Sequence, residues 1–279
     1  MQLIADSGST KTDWRLIGDD GTIKQFISEG LNPFFHTKES VEKVLSITFS
    51  EIGYKNVKAV FFYGAGCSSQ EKNQLLEEAF KGVFMNATVT VEHDLLGAAR
   101  AACGKNEGLA GILGTGSNCC VFDGQQIIQS FPSGGYILGD EGGGVSIGKA
   151  LIKAFIELRM PKDLLELFNT RYKLTAAQIL DKIYKEPFPN RFLASFSSFT
   201  FHHRNHPFIA DLLYKVFQAY FEVQVKRFEE SKNLKLNLVG SVAFYYQELI
   251  RTVAKDQSVS IGTILEKPIS GLTLFHQNY

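Results

Sequence analysis

Hydrophobic and polar positions at the start of the chain follow a pattern that predicts strand, loop, strand, turn, strand. Residues 2–6 form a short apolar run ended by Asp6, and Ser7-Gly8-Ser9-Thr10-Lys11 is a loop of small and polar residues. Residues 12–17 alternate, Gly18-Asp19-Asp20-Gly21 turns, and residues 22–28 return. Val41, Val44, Leu45, Ile47 and Phe49 then mark an amphipathic helix over 37–52. The apolar run 57–63 reads as a buried strand, followed by Gly64-Ala65-Gly66 and a helix over 70–84. A strand over 87–91 and a small-residue helix over 94–103 complete this part.

The polar, glycine-containing stretch 104–108 is the best hinge, and directly after it the opening pattern recurs. Residues 109–113 read as a strand, Gly114-Thr115-Gly116-Ser117 as a small-residue loop and 118–122 as a strand. Asp123-Gly124 makes a tight turn into a third strand over 125–131. A pattern repeated in order, with matching loops and turns, weighs more than either hairpin alone. Two glycine-and-hydroxyl loops of this kind suit a clamp on a polyphosphate held between two lobes.

The rest is mostly helical, over 146–159, 162–170, 175–184 and 207–230. A strand at 236–239 follows, then the Gly240-Ser241 turn, a helix over 242–254 and a short helix over 268–276. The aromatic and histidine-rich stretch 190–206 reads as core aromatics with a polar helix end. A metal site there would need carboxylate or cysteine partners that the sequence does not place.

With 279 residues the chain can fill two lobes with separate cores. Basic and acidic residues both total 29, so no global field exists to hold a nucleic-acid backbone or an anionic membrane. An anionic ligand must therefore be held by local geometry. Cys67, Cys103, Cys119 and Cys120 lack CxxC spacing and read as reduced, mostly buried thiols. No stretch approaches the roughly 18 apolar residues of a membrane span. Without a signal peptide, a cytoplasmic location is expected.

Three segments carry candidate chemistry. In Asp6-Ser7-Gly8-Ser9-Thr10-Lys11-Thr12, glycine lets the backbone approach phosphate while hydroxyls and N–H groups donate to it. Asp6, at the strand's end, is placed to hold Mg²⁺ through water. The loop is not a Walker A motif, whose GxxxxGK[ST] pattern is absent. Asp94 follows a strand and opens a helix, so a carboxylate there is held rigidly. It could orient an acceptor hydroxyl and take its proton, or simply cap the helix. Gly139-Asp140-Glu141-Gly142-Gly143-Gly144 places two acceptor carboxylates in a permissive loop suited to paired sugar hydroxyls.

These residues resemble the actin/hexokinase/Hsp70 phosphotransferase superfamily, with 6–12 similar to its first phosphate motif and 114–117 to its second. Within it, Gly114-Thr115-Gly116-Ser117-Asn118-Cys119, Leu138-Gly139-Asp140-Glu141-Gly142 and Val239-Gly240-Ser241-Val242 resemble the N-acetylglucosamine kinase family and the related BadF/BadG-type ATPases. The resemblance implies an α/β fold of two ribonuclease H-like, actin-like ATPase lobes, each a mixed sheet flanked by helices, with an interlobe cleft. The expected lobes are 1–105 and 106–267, the second with a helical insertion, and 268–279 packing back on the first.

The implied activity is a transferase: an ATP- and Mg²⁺-dependent kinase of N-acetylglucosamine or a related amino sugar, acting at the 6-hydroxyl. Asp94 then resembles the catalytic carboxylate, and Asn32, Asp94, Ser117, Asn118, Asp140 and Glu141 the sugar contacts. ATP contacts are implied at Gly8, Ser9, Thr10, Lys11, Thr12, Gly114, Thr115, Gly116, Gly240 and Ser241. The expected partner is a small-molecule sugar, with no nucleic acid and no membrane, and a homodimer is left open. Ser133-Gly134-Gly135-Tyr136-Ile137-Leu138 abbreviates the family's glycine-aromatic stretch, which bears on the exact sugar. The alternative is an activator ATPase coupling hydrolysis to a partner protein. Such activators hold an iron–sulfur cluster between subunits, and no paired cysteine ligand set is evident here.

Overall fold

The computed structural model describes residues 1–8, 11–52 and 54–277, and they divide into two compact units. The first comprises Met1–Asn106, Gly124–Gln126 and Lys267–Tyr279, the second Glu107–Asp123 and Ile127–Glu266.

In the first unit, β1 (Gln2–Ser7), β2 (Lys11–Ile17), β3 (Ile23–Glu29), β4 (Ala59–Gly64) and β5 (Thr88–His93) form one sheet in the order β3-β2-β1-β4-β5. β1 pairs antiparallel with β2 and parallel with β4, which pairs parallel with β5. Strand alternation sends Leu3, Ala5, Trp14 and Phe62 to one face. There they pack with residues of α1 (Lys38–Thr48) and α2 (Gln70–Val83). Trp14 sits edge-on to Phe49 at 5.1 Å between ring centroids, and its indole N–H donates to Ser28 Oγ. Ile4, Ile17 and Tyr63 take the other face with Ile269 and Leu272 of the C-terminal helix Ile269–Gln277, beside α3 (Asp94–Cys103). Burial on both faces explains why the middle of β1 reads as an unbroken apolar run.

The second unit repeats the topology. Its strands β6 (Gly108–Leu113), β7 (Ser117–Phe122), β8 (Ile127–Ser130), β9 (Leu236–Val239) and β10 (Ile261–Leu265) run in the order β10-β9-β6-β7-β8. β6 is antiparallel to β7 and parallel to β9, as β1 is to β2 and β4. Between β8 and β9 come α4 (Gly135–Leu138), α5 (Gly144–Ile156), α6 (Lys162–Tyr172), α7 (Ala176–Tyr184), α8 (Pro189–Ser195), α9 (Ser197–His202) and α10 (Pro207–Tyr220). Two more, α11 (Ser241–Tyr245) and α12 (Gln247–Asp256), follow β9.

Two of the expected helices end or break early. The helix expected over 207–230 stops at Tyr220 and widens into a π-helical turn, Phe221–Val225. The helix expected over 242–254 breaks at Tyr246, whose hydroxyl donates to Ser197 O and meets Thr200 Oγ1. The stretch 190–206 is two short helices whose Phe196 and Phe199 are fully buried. One of its histidines does find a carboxylate, with His206 Nε2 3.2 Å from Asp163 Oδ2, yet no group of three metal-ligating side chains occurs among the described residues. All four cysteines are free and buried. No described helix is long and apolar enough to cross a membrane.

Candidate active site

Parallel strands deliver their carboxyl ends to one edge of a sheet, where open α/β sheets bind ligands. In the first unit Ser7 of β1, Gly64 of β4 and His93 of β5 stand in one register row. Asp6 precedes that row by one residue and Asp94 follows it by one. Asp6 also lies directly across from Asp13 of β2, so two carboxylates share a face. Burial, aided by the charges of Asp94 and Asp13, pushes the Asp6 carboxyl up to about 7.

Asp94 opens α3 but does not cap it. His93 occupies the cap: its Nδ1 accepts from Leu95 N–H at 3.1 Å. The same nitrogen lies 2.8 Å from Asp94 Oδ1; when protonated it donates there and gives up the Leu95 bond, so the cap and the ion pair alternate with the ring's protonation. That contact, against the opposing effect of burial, raises the His93 pKa from its ordinary value. The cap reading of Asp94 is thereby replaced, because the preceding residue already does that work. As the first helical residue, Asp94 keeps a half-buried carboxylate beside the helix's positive end.

Around β1 the loop is tied from beneath. Ser7 Oγ meets Thr12 Oγ1 at 2.8 Å and accepts from Leu31 N–H, while Thr12 Oγ1 donates to Glu29 O. Thr12 is fully buried, so its hydroxyl is spent inside the unit and is not offered to a ligand. Asn32, 8% exposed, is fixed by a turn of its own: its Oδ1 accepts from Phe34 N–H, leaving the amide nitrogen to donate. Lys11, half-exposed, reaches Asp13 at 3.3 Å, and Lys267 reaches the same carboxylate at 3.5 Å. Gly8 N–H donates to Lys11 O across the loop. Ser9 and Thr10 lie outside the described residues.

In the second unit, Gly114, Thr115 and Gly116 are pinned by the start of α5. Its first amides, Gly144 and Val145, donate to Gly114 O and Thr115 O, so the helix's unsatisfied N–H groups stiffen this loop. Asp140, in the left-handed region at φ 60°, accepts from Ser117 N–H at 3.2 Å. A Cβ on Gly116 would sit 2.7 Å from that carboxyl, so only glycine allows the approach. Burial raises the Asp140 pKa, opposed by the Ser117 N–H and by Lys149. Ser117 Oγ is buried and makes no hydrogen bond among the described residues. Buried hydroxyls are usually partnered, so this one is free to meet a ligand or a water. Strand alternation sends Asn118 to the opposite face from Ser117, and its Oδ1 accepts from Cys119 N–H. Glu141 accepts from Gln224 Nε2.

Gly240 closes the site. It holds φ at +126°, and a Cβ there would lie 2.2 Å from Leu113 O and 3.2 Å from Gly114 N. The Gly240-Ser241 turn therefore abuts the Gly114 loop directly. Beside it, Ser197, Ser198, Phe201, Ser241, Tyr245 and Tyr246 line a cavity of about 280 Å³. A larger hollow of about 650 Å³ along α2 contains none of the candidate residues. We expect Gly240→Ala to destabilise the protein by about 3 kcal/mol, since both the backbone angle and the carbonyl oppose a methyl group. Urea unfolding reads this directly; a variant as stable as the wild type contradicts the packing.

The sequence reading missed His93, Asp13, Lys267 and Gln224. A polar residue in an otherwise apolar helical stripe was the one signal for Gln224. His93 was masked by the stronger capping propensity of the aspartate that follows it.

No family model matches the chain. Over its whole length it is 39% identical to a structure from Porphyromonas gingivalis provisionally designated an N-acetylglucosamine kinase, with a TM-score of 0.94 and 99% of that chain covered. A curated Clostridium acetobutylicum protein, N-acetylmuramic acid/N-acetylglucosamine kinase, is 30% identical over 161 residues, and that match spans only 52% of its length. A glucokinase of the ROK family from Streptomyces griseus, solved with glucose and AMPPNP, shares the fold at a TM-score of 0.60 and 14% identity over 98% of its chain.

Proposed function

Since the chain belongs to the N-acetylglucosamine kinase family of actin-like phosphotransferases, we propose that it transfers the γ-phosphate of ATP to the 6-hydroxyl of N-acetylglucosamine or a closely related amino sugar. The observation that carries this reading is Asp94, a rigid carboxylate at the helix start beside the buried carboxyl of Asp6. A sugar hydroxyl is a weak nucleophile at neutral pH and has to be aimed at phosphorus. Asp94 accepts its hydrogen bond and takes the proton as the bond to phosphorus forms. Asn32 donates to the sugar, and Asp140 and Glu141 accept from its hydroxyls with Ser117 alongside. Asn118, turned to the other face, has the weakest support of these.

For the nucleotide, Gly8, Ser9, Thr10 and Lys11 on the first unit, and Gly114, Thr115 and Gly116 on the second, supply phosphate contacts. Gly240 and Ser241 form the turn against which adenosine lies, with the aromatic cavity next to them as its seat. Mg²⁺ fits the cluster of Asp6, Asp13 and Asp94, in which Lys11 and Lys267 pair, among the described residues, with Asp13 alone. Because no three such groups converge as direct ligands among the described residues, the fit is to a hydrated ion held through Asp6. Bound there, it would neutralise charge on the transferring phosphate. Four buried thiols suit a cytoplasmic setting.

The acceptor is identified by comparing kcat/KM for N-acetylglucosamine, glucosamine, N-acetylmuramic acid and glucose, with ³¹P NMR of the product. N-acetylglucosamine is expected to lead and to yield the 6-phosphate. Equal, negligible rates with all four would overturn the reading.

A further inference from the structure

One buried polar side chain of the second unit has no place in the roles assigned above. Gln224 lies on the π-helical turn that continues α10, and only 2% of its surface is exposed. Its companions Leu213, Phe217, Phe221 and Val225 are apolar and fully buried. An amide placed among them is costly unless it is bonded. The bond goes across 83 residues of sequence, with Nε2 donating to Glu141 Oε2 at 2.8 Å. Widened single turns of this kind break the regular helical ladder and recur at functional positions. Here the turn falls at the residue whose amide meets the acidic loop.

Glu141 needs such a holder. It stands between Asp140 at φ 60° and Gly142 at φ 79°, outside any helix or strand. No regular backbone sets its rotamer, and an unheld glutamate loses side-chain freedom each time it engages a ligand.

We propose that Gln224 is a positioning residue for sugar binding: it grips Oε2 of Glu141 and leaves Oε1 aimed at a sugar hydroxyl. This rests on the sugar-kinase reading above. A charge-assisted hydrogen bond holds the carboxylate in one orientation before the sugar arrives, so the ordering cost is met on folding and not on binding.

The test uses Gln224→Met, which keeps the length and suits the apolar surroundings, and Gln224→Glu. For Gln224→Met the KM for N-acetylglucosamine is expected to rise about tenfold, as for a lost hydrogen bond to a charged group. KM for ATP and the melting temperature should stay near wild type, and the variant should add nothing to Glu141→Gln in a double-mutant cycle. Gln224→Glu sets a carboxylate against a carboxylate, so one of the pair keeps its proton to higher pH. Asp140 and Lys149 are the other charged groups at this loop. The protonated member can still donate, so sugar KM should be near normal at low pH and climb as pH rises. Should Gln224→Met fail to fold, that pH dependence decides alone. Altered melting temperature with unchanged sugar KM and no new pH dependence would make Gln224 purely structural and overturn the proposal. A wild-type protein without sugar-dependent turnover would overturn the kinase reading and this inference together; normal wild-type turnover with indifferent variants overturns only the inference.

Discussion

Asp94→Asn should lower kcat for sugar phosphorylation by about three orders of magnitude, the range expected when a positioned general base is removed. Asparagine keeps the size of the side chain and an oxygen facing His93, so the packing of α3 survives. What it lacks is the ability to accept the acceptor hydroxyl's proton. KM for ATP should stay within about twofold, because the loss is confined to the transition state. The folding cost is small as well. His93 holds the cap, so the change forfeits the charge at the helix's positive end, about 0.5 kcal/mol, and the partly exposed pairing with His93. Steady-state kinetics with a thermal melt separates the two effects. Near-normal rates would reduce Asp94 to a partner of the helix dipole and of His93.

Asp6→Asn should abolish sugar-dependent turnover and yet make the unliganded protein more stable above neutral pH. The sign follows from the direction of the shift. Burial and two neighbouring carboxylates raise the folded pKa of Asp6 to about 7, above the unfolded value of 3.8. Between those values the folded state holds a proton that the unfolded chain has released, so stability falls as pH rises through this window. By pH 8 the penalty is on the order of 4 kcal/mol, with the opposing pull of Lys11 and Lys267 already included. Asparagine removes it. The expected result is a flatter stability profile from pH 4 to 7 and a higher melting temperature at pH 8. Mg²⁺ with ADP should restore much of the wild-type stability at pH 8 and little at pH 5. A variant less stable than the wild type at pH 8 would show that the carboxylate is favourably paired.

Much of this architecture is legible in the residue pattern alone. The recurrence of strand, small-residue loop, strand, turn and strand at 2–28 and 109–131 corresponds to two sheets of identical strand order. Alternation in β2 and the two-sided burial of β1 follow from elementary side-chain periodicity. Other features are hidden for identifiable reasons. β10 was not anticipated: Gly262 and Thr263 interrupt a short run whose pairing partner, β9, lies more than twenty residues away. The four-residue α4 is too brief to show a helical period. The end of α10 was overrun because its apolar spacing continues through Phe221 and Val225, past the π turn that holds Gln224.

The site is legible in part for similar reasons. Loops of glycine and hydroxyl residues announce backbone approach to a ligand, and Gly116 and Gly240 do sit where a side chain could not. A hydroxyl's direction is less readable. Thr12 looked open to a ligand in the sequence, yet β2 turns it inward to Ser7 and Glu29. Ser117, in the second unit, remains unengaged among the described residues. Long-range pairs such as Gln224 with Glu141 leave no local trace beyond a lone polar residue in an apolar stripe.

Release of ADP from ATP and Mg²⁺, followed with and without saturating N-acetylglucosamine, tests the central claim most directly. If the carboxylates of this site serve a sugar hydroxyl, ADP release should rise at least about a hundredfold with the sugar, as for a positioned acceptor over water, with one phosphosugar formed per ADP. ADP released at the same rate without the sugar, with no phosphosugar formed, would contradict it and point to an ATPase that drives a partner protein.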